Sequence, residues 1–269
     1  MTYILKMINN NQLKFYKKHG YLKIQNVFKI SLINKVKRKI FEDIRNKKKN
    51  YEVYYENKSK NKKIRRIENI IKNNASFRNL LRNRSIKKIF NTLSNKKYAL
   101  FKEKINFKYP NTKGFKPHID GHFYWKEKNK NKLQKGWLKY SNDFINLVIP
   151  LEKCTKKNGC LEVSSKLNTL KLGRSFDRIT NKVKLYTPEI KREYLNFFGW
   201  EKIEMDVGDI LIFNWKCAHK SKDNNSKTSR TIYYATYYQK NKKTKKNILN
   251  TYYRDKKNSI NPHSNKSLN

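Results

Sequence analysis

Apolar residues change their spacing once along this chain, near Tyr98. Before that point they recur mostly at three- and four-residue intervals, the period of an amphipathic helix. Residues 11–45 read as helical with one interruption: Phe15 and Tyr16 lead into His19-Gly20-Tyr21, where glycine stops the helix. Leu22 to Val27 is a short strand candidate, and Ser31 stands as the N-cap of a second helix carrying Leu32, Ile33, Val36, Ile40, Phe41 and Ile44. Residues 47–66 are basic with few apolar anchors and read as a loop or exposed hairpin, in which Tyr51, Val53 and Tyr55 alternate. Helical spacing returns over residues 67–95, through Ile70, Ile71, Phe77, Leu80, Leu81, Ile86 and Ile89.

After Tyr98 the period falls to two. The stretches 99–107, 143–151, 209–213 and 231–238 each alternate or run apolar, and Gly, Asn, Asp or Pro bounds them. Many short strands without long helices between them predict an antiparallel sandwich or jelly roll. One helical insertion is expected between Pro188 and Phe198. The reading is therefore one domain over residues 1–239, with a helical part at about 11–95 and a jelly-roll core at about 98–239. Residues 240–269 are polar and basic and read as a mobile tail.

The net charge of +45, mostly from lysine, suits an anionic partner. The joint abundance of Lys, Asn and Ile also fits the compositional drift of an AT-rich genome, and the basic residues are spread along the chain. The three cysteines form no CxxC pair, so a reducing compartment is expected, with each thiol a small buried side chain. The sequence shows neither an 18-residue apolar run nor a signal-peptide pattern, which predicts a cytoplasmic protein without a membrane span.

The five histidines narrow the search for chemistry. His118 and Asp120 are two positions apart, so on a strand both point to one face. An HxD pair alone is a weak signal: chance gives roughly 0.15 in a chain of this composition. His219, following the predicted strand at 209–213, is the best third ligand. Two imidazoles and one carboxylate on one face of an iron(II) ion leave the opposite face open. Arg230 heads the last alternating stretch, where a guanidinium could grip a carboxylate bidentately. Just past the ligands, His122, Tyr124 and Trp125 are candidates for the substrate pocket; His122 shares strand parity with His118 and Asp120 if the strand continues. Trp137 and Trp215 read as core.

In order along the chain, FYKKHGYLKI, KEKINFKYPNTKGFKPHIDGHFYW, LVIPLEKCTKKNGCLEVSSKLN, DVGDILIFNWKCAHKS and SRTIYYATYY resemble the successive segments of the phytanoyl-CoA dioxygenase family. The resemblance covers about Phe15 to Tyr238. It implies a mainly β fold with α: a double-stranded β-helix core with flanking N-terminal helices. It implies an iron(II)- and 2-oxoglutarate-dependent oxygenase with His118, Asp120 and His219 as metal ligands and Arg230 on the far carboxylate of 2-oxoglutarate. Lys104 and Asn106, on the strand before HxD, and Ser221 match positions that can also touch this cosubstrate. The middle segment departs from the family, with Ser164-Ser165-Lys166-Leu167-Asn168 where Pro-Gly-Ser-His is usual. Related halogenases lack the carboxylate, so Asp120 points to hydroxylation or another oxidation with O2, giving succinate and CO2. A small, anionic organic substrate suits the positive field. Two alternatives stand beside this: a nucleic-acid-modifying oxygenase holding phosphates through Lys58–Arg66 and Lys240–Lys246, although no nucleic-acid motif is present, and a non-catalytic binding protein on the same fold.

Overall fold

The strand Phe144–Pro150 is buried along its whole length, and that fact organises the molecule. In the computed structural model, which describes residues 8–46, 51–56, 63–128, 133–173, 188–240 and 247–259, this strand has covered faces on both sides. The elements run α1 (Asn10–His19), β1 (Tyr21–Ile24), α2 (Ile30–Arg45), β2 (Glu52–Tyr55), β3 (Ile64–Glu68), α3 (Ala75–Leu81), α4 (Arg84–Leu93) and β4 (Tyr98–Lys108). They continue with β5 (Phe115–His118), β6 (Tyr124–Lys126), β7 (Leu133–Lys135), β8 (Phe144–Pro150), β9 (Leu161–Val163) and α5 (Lys166–Lys171). The last are β10 (Glu201–Ile203), β11 (Ile210–Asn214), β12 (His219–Ser221), β13 (Arg230–Gln239) and α6 (Ile248–Lys257).

A seven-stranded sheet has the order β1-β11-β8-β13-β4-β3-β2, and a four-stranded sheet has the order β10-β9-β12-β5. Every pairing between these strands is antiparallel. Strand parity builds two layers of core. Ile145, Leu147 and Ile149 of β8 and Tyr233, Ala235 and Tyr237 of β13 face the helices, meeting Ile33, Val36, Ile40, Phe77 and Ile89. The opposite face puts Val148, Leu211, Phe213 and Ile232 against Leu161, Val163 and Ile203 of the smaller sheet. Two facing antiparallel sheets with helices on one side make the expected double-stranded β-helix. Cys154, Cys160 and Cys217 are free thiols packed between the sheets.

Local reading and structure agree where a cap is explicit. Gly20 ends α1 with φ +84°, and its N–H bonds to the Tyr16 carbonyl at 2.7 Å. Elsewhere they differ. The helix α2 begins at Ile30 with Lys29 as an unbonded N-cap, so Ser31 lies within its first turn. The Phe28 N–H bonds to the Gly208 carbonyl at 3.0 Å, which turns the chain early. Ile67 belongs to β3, not to a helix, because it pairs with Ile105 of β4 and is fully buried. The hairpin β2–β3 is no free excursion; it extends the large sheet beyond β4. Residues 248–257, read as part of a mobile tail, form α6 instead, with Ile248 buried beside Phe101, Trp137, Phe144 and Trp215. Residues 241–246 and 260–269 of that tail lie outside the described residues. The expected insertion after Pro188 is a single 3-10 helix, Arg192–Phe197. Among the described residues no helix is long and apolar enough to cross a membrane.

Candidate metal centre

β5 and β12 run side by side, and their register sets His118 directly opposite His219. The two imidazole rings lie 4.0 Å apart between centroids. Asp120 follows in a turn, with Oδ2 at 3.9 Å from His219 Nε2. One donor atom from each of the three residues falls within 4.8 Å of the other two. The turn is held by Gly121, which has φ +75°; a Cβ there would meet the Trp137 ring at 3.0 Å.

The donor set is oriented before any ion arrives. His118 Nδ1 lies 2.7 Å from the Lys116 carbonyl and His219 Nδ1 3.2 Å from the Cys217 carbonyl. A carbonyl only accepts, so each Nδ1 carries the proton and each Nε2 keeps its lone pair for a metal. Burial, reinforced by His219, pushes His118 down to about 3. Burial lowers His219 as well, against the pull of Asp120. Desolvation alone would raise the Asp120 carboxyl, but His219, Lys102 and Lys104 together hold it at about 2. At neutral pH the site therefore offers two neutral imidazoles and one carboxylate, a fit to a ferrous ion with open positions. Asn146 donates to Asp120 Oδ2 at 3.0 Å and is in turn fixed by Thr236, whose hydroxyl donates to Asn146 Oδ1 at 2.7 Å.

Arg230 is fully buried at the head of β13. Its Nη1 donates to the Gly159 carbonyl at 2.7 Å, while Nε and Nη2 have no acceptor among the described residues. Buried guanidinium donors left over in this way suit an incoming carboxylate. Ser221, two residues after His219, accepts from Lys108 Nζ at 2.8 Å. Lys108 was not foreseen. It pairs with Arg230 across β4 and β13, and burial followed by the Arg230 charge pushes it down to about 6. Lys104 and Asn106 share the inward face of β4 with it and line a small recess behind the triad with Leu161, Tyr234 and Thr236.

A larger cavity of about 760 Å³ opens in front of His118 and Asp120. Trp125 and Trp137 line it, so Trp137 serves both core and cavity. His122 and Tyr124 are not among its lining residues. The reason is that β5 ends at His118 and the turn at Gly121 breaks the parity; His122 packs on Trp215 at 5.2 Å between ring centroids, and Tyr124 is buried. Sequence reasoning also missed Lys102, Asn146 and the far wall of the cavity, formed by Tyr252, Asp255 and Lys256 of α6. Asn146 had left a trace, as the one polar residue in the apolar run FINLVIP. Of the two basic stretches considered for phosphates, Arg65 is buried and bonded to Glu56 and to the Lys113 and Gly114 carbonyls, and Arg66 pairs with Glu68 at 2.8 Å. Residues 57–62 and 241–246 lie outside the described residues.

The model of one family, described as Phytanoyl-CoA dioxygenase (PhyH), matches residues 16–232. Among characterised proteins, the chain is 29% identical over 198 residues to a methylphosphonate hydroxylase of Gimesia maris, covering 72% of this chain and 65% of that protein. It is 26% identical over 172 residues to a 2-aminoethylphosphonate dioxygenase of an uncultured bacterium, covering 64% of this chain and 58% of the relative. The matches thus span less than two thirds of these relatives' own lengths. Among solved structures, EctD from S. alaskensis superposes with a TM-score of 0.65 at 14% identity, over 86% of this chain and 77% of that one. The epimerase SnoN, solved with Fe3+ and alpha ketoglutarate, gives 0.63 at 12% identity, over 85% and 82%. At such identities these two likenesses speak for the fold alone.

Proposed function

The chain belongs to the phytanoyl-CoA dioxygenase family, and on that footing we propose that it is an iron(II)- and 2-oxoglutarate-dependent oxygenase hydroxylating a small organic anion. The observation that carries this reading is the convergence of His118, Asp120 and His219, from two paired strands and the adjoining turn, within 4.8 Å of one another. With iron and 2-oxoglutarate bound, O2 would be the oxidant, one oxygen atom going to succinate as 2-oxoglutarate loses CO2 and the other to the hydroxylated carbon of the substrate.

The chain's own residues do the rest. Nε2 of His118 and His219 and the Asp120 carboxylate hold the metal, and Asn146 fixes the carboxylate rotamer through its 3.0 Å bond. Arg230, aided by Lys108 and Ser221, receives the far carboxylate of the cosubstrate; Lys104 and Asn106 stand along the same inward face. Trp125, Trp137 and the wall from α6 shape the cavity in which the substrate would sit. Cationic side chains outnumber carboxylates around that cavity, which favours an anionic substrate. The two phosphonate-oxidising relatives support a phosphonate as the first class to try.

The test is succinate release by the iron-loaded protein across a panel of phosphonates, carboxylates and size-matched neutral compounds. Asp120→Ala should abolish iron-dependent consumption of 2-oxoglutarate. Arg230→Ala should raise the KM for 2-oxoglutarate by about 10- to 100-fold, as expected for losing a bidentate charged pair. Turnover of the neutral compounds alone would refute the anionic substrate. Absence of 2-oxoglutarate consumption with every substrate and no added substrate would refute the oxygenase.

A further inference from the structure

Strand β4 carries a row of inward side chains, Lys102, Lys104, Asn106 and Lys108, that runs past the metal centre from one end of the site to the other. The Lys108 end meets Arg230 and Ser221, where the cosubstrate carboxylate belongs. Lys102 lies six residues away, about 20 Å along an extended chain. A five-carbon dicarboxylate gripped by Arg230 is far shorter than that. Lys102 lines the large cavity next to α6, and its other side borders the small recess behind the triad.

The surroundings of its ammonium are unusual. Nζ sits 4.2 Å from the Trp137 ring centroid and 5.9 Å from that of Tyr252. Among the described residues it has neither a hydrogen bond nor an ion pair. The two carboxylates whose charges act on it, Asp120 and Glu68, are bonded elsewhere. Glu68 is bound by Arg66 at 2.8 Å and by Lys256 at 2.6 Å. Asp120 is bound by Asn146 at 3.0 Å and is reserved for the metal. The aromatic rings fix the direction of the lysine; Asp120 and Glu68 act on it through space without bonding it, and burial still pushes it down to about 7. A cation held in this way beside a cavity lacks one component, an acceptor carrying negative charge.

We infer that Lys102, steered by Trp137 and Tyr252, is the residue that anchors the anionic group of the substrate, at the end of the site opposite Arg230. The inference rests on the oxygenase reading and adds to it a substrate contact and a role for α6. That helix lies beyond the family-matched residues 16–232 and supplies Tyr252 to the lysine's cage.

Calorimetry tests this on the full chain loaded with Mn2+ and 2-oxoglutarate, which keeps the site intact and the protein unreactive. Methylphosphonate, inorganic phosphate and acetate are the charged probes, and dimethyl sulfone is the uncharged shape-mate. At least one anion should saturate a single site while dimethyl sulfone does not bind. Lys102→Met should weaken that anion by at least about tenfold, and Lys102→Arg should stay within about threefold of the parent. The affinity for Mn2+ and for 2-oxoglutarate should hold in both variants. Unchanged anion binding in Lys102→Met, a loss of 2-oxoglutarate in place of the anion, or no anion binding by a protein that takes both Mn2+ and 2-oxoglutarate would each overturn the assignment. Failure to bind Mn2+ and 2-oxoglutarate at all would refute the oxygenase reading instead.

Discussion

Glu103 sits on the helix side of β4, where one carboxylate oxygen accepts the backbone N–H of Ile70 at 2.6 Å and of Ile71 at 3.3 Å. Burial dominates and pushes its carboxyl up to about 8. The folded protein therefore holds this proton more tightly than the unfolded chain, whose glutamates titrate near 4.3. Stability from this group is complete below about pH 4 and is lost as pH rises toward 8. Glu103→Gln keeps the acceptor and removes the charge. Its melting temperature should gain on the parent's between pH 5 and pH 8 by roughly 4–8 °C, and a flat difference across that range would refute the linkage. At this scale the candidate metal ligands were legible because histidine is scarce and HxD is compact. Asn146, Lys102 and Lys108 were not, since inwardness depends on which face of a sheet is covered, and alternation alone does not name the face.

Elements place the site through backbone contact. Gly114, just before β5, lies so close to β12 that a Cβ would stand 2.0 Å from the Ser221 carbonyl oxygen. Because β5 carries His118 and β12 carries His219, any separation of these strands pulls the ligands apart. Gly114→Ala should weaken Mn2+ binding by at least about tenfold although it touches no ligand, and calorimetry reads this directly. Affinity equal to the parent's would show that the strands tolerate the shift. The four long strands and both N-terminal helices were legible from periodicity. Ile67 was misread because a buried β residue next to helical spacing satisfies either period until its partner, Ile105, is known.

Across the whole molecule, the high positive charge is partly consumed in closing the cavity. Lys256 of α6 reaches Glu52 at 2.7 Å, Glu68 at 2.6 Å and the Tyr54 hydroxyl at 2.6 Å, tying the helix to β2 and β3. Burial works against Glu68 ionising, yet Arg66, Lys256 and Lys102 hold its carboxyl well below the usual range. Lys256→Ala would leave Glu68 with Arg66 alone and part-exposed Glu52 without its cation, and should cost about 1–3 kcal/mol, read as a lower denaturation midpoint. An unchanged midpoint would mean that α6 docks through its apolar side alone. Composition could not announce this helix, because a lysine-rich segment reads as solvated until its acidic partners are located. The thiols lead to a different kind of expectation. Burial pushes Cys154 and Cys217 up to about 12 and raises Cys160 too, so almost no thiolate exists at neutral pH. The oxygen chemistry proposed above would expose the fold to leaked peroxide. Its sulfur atoms should withstand it: intact mass after peroxide treatment of the folded protein should show no oxygen added at cysteine, whereas the urea-unfolded chain should take it up readily.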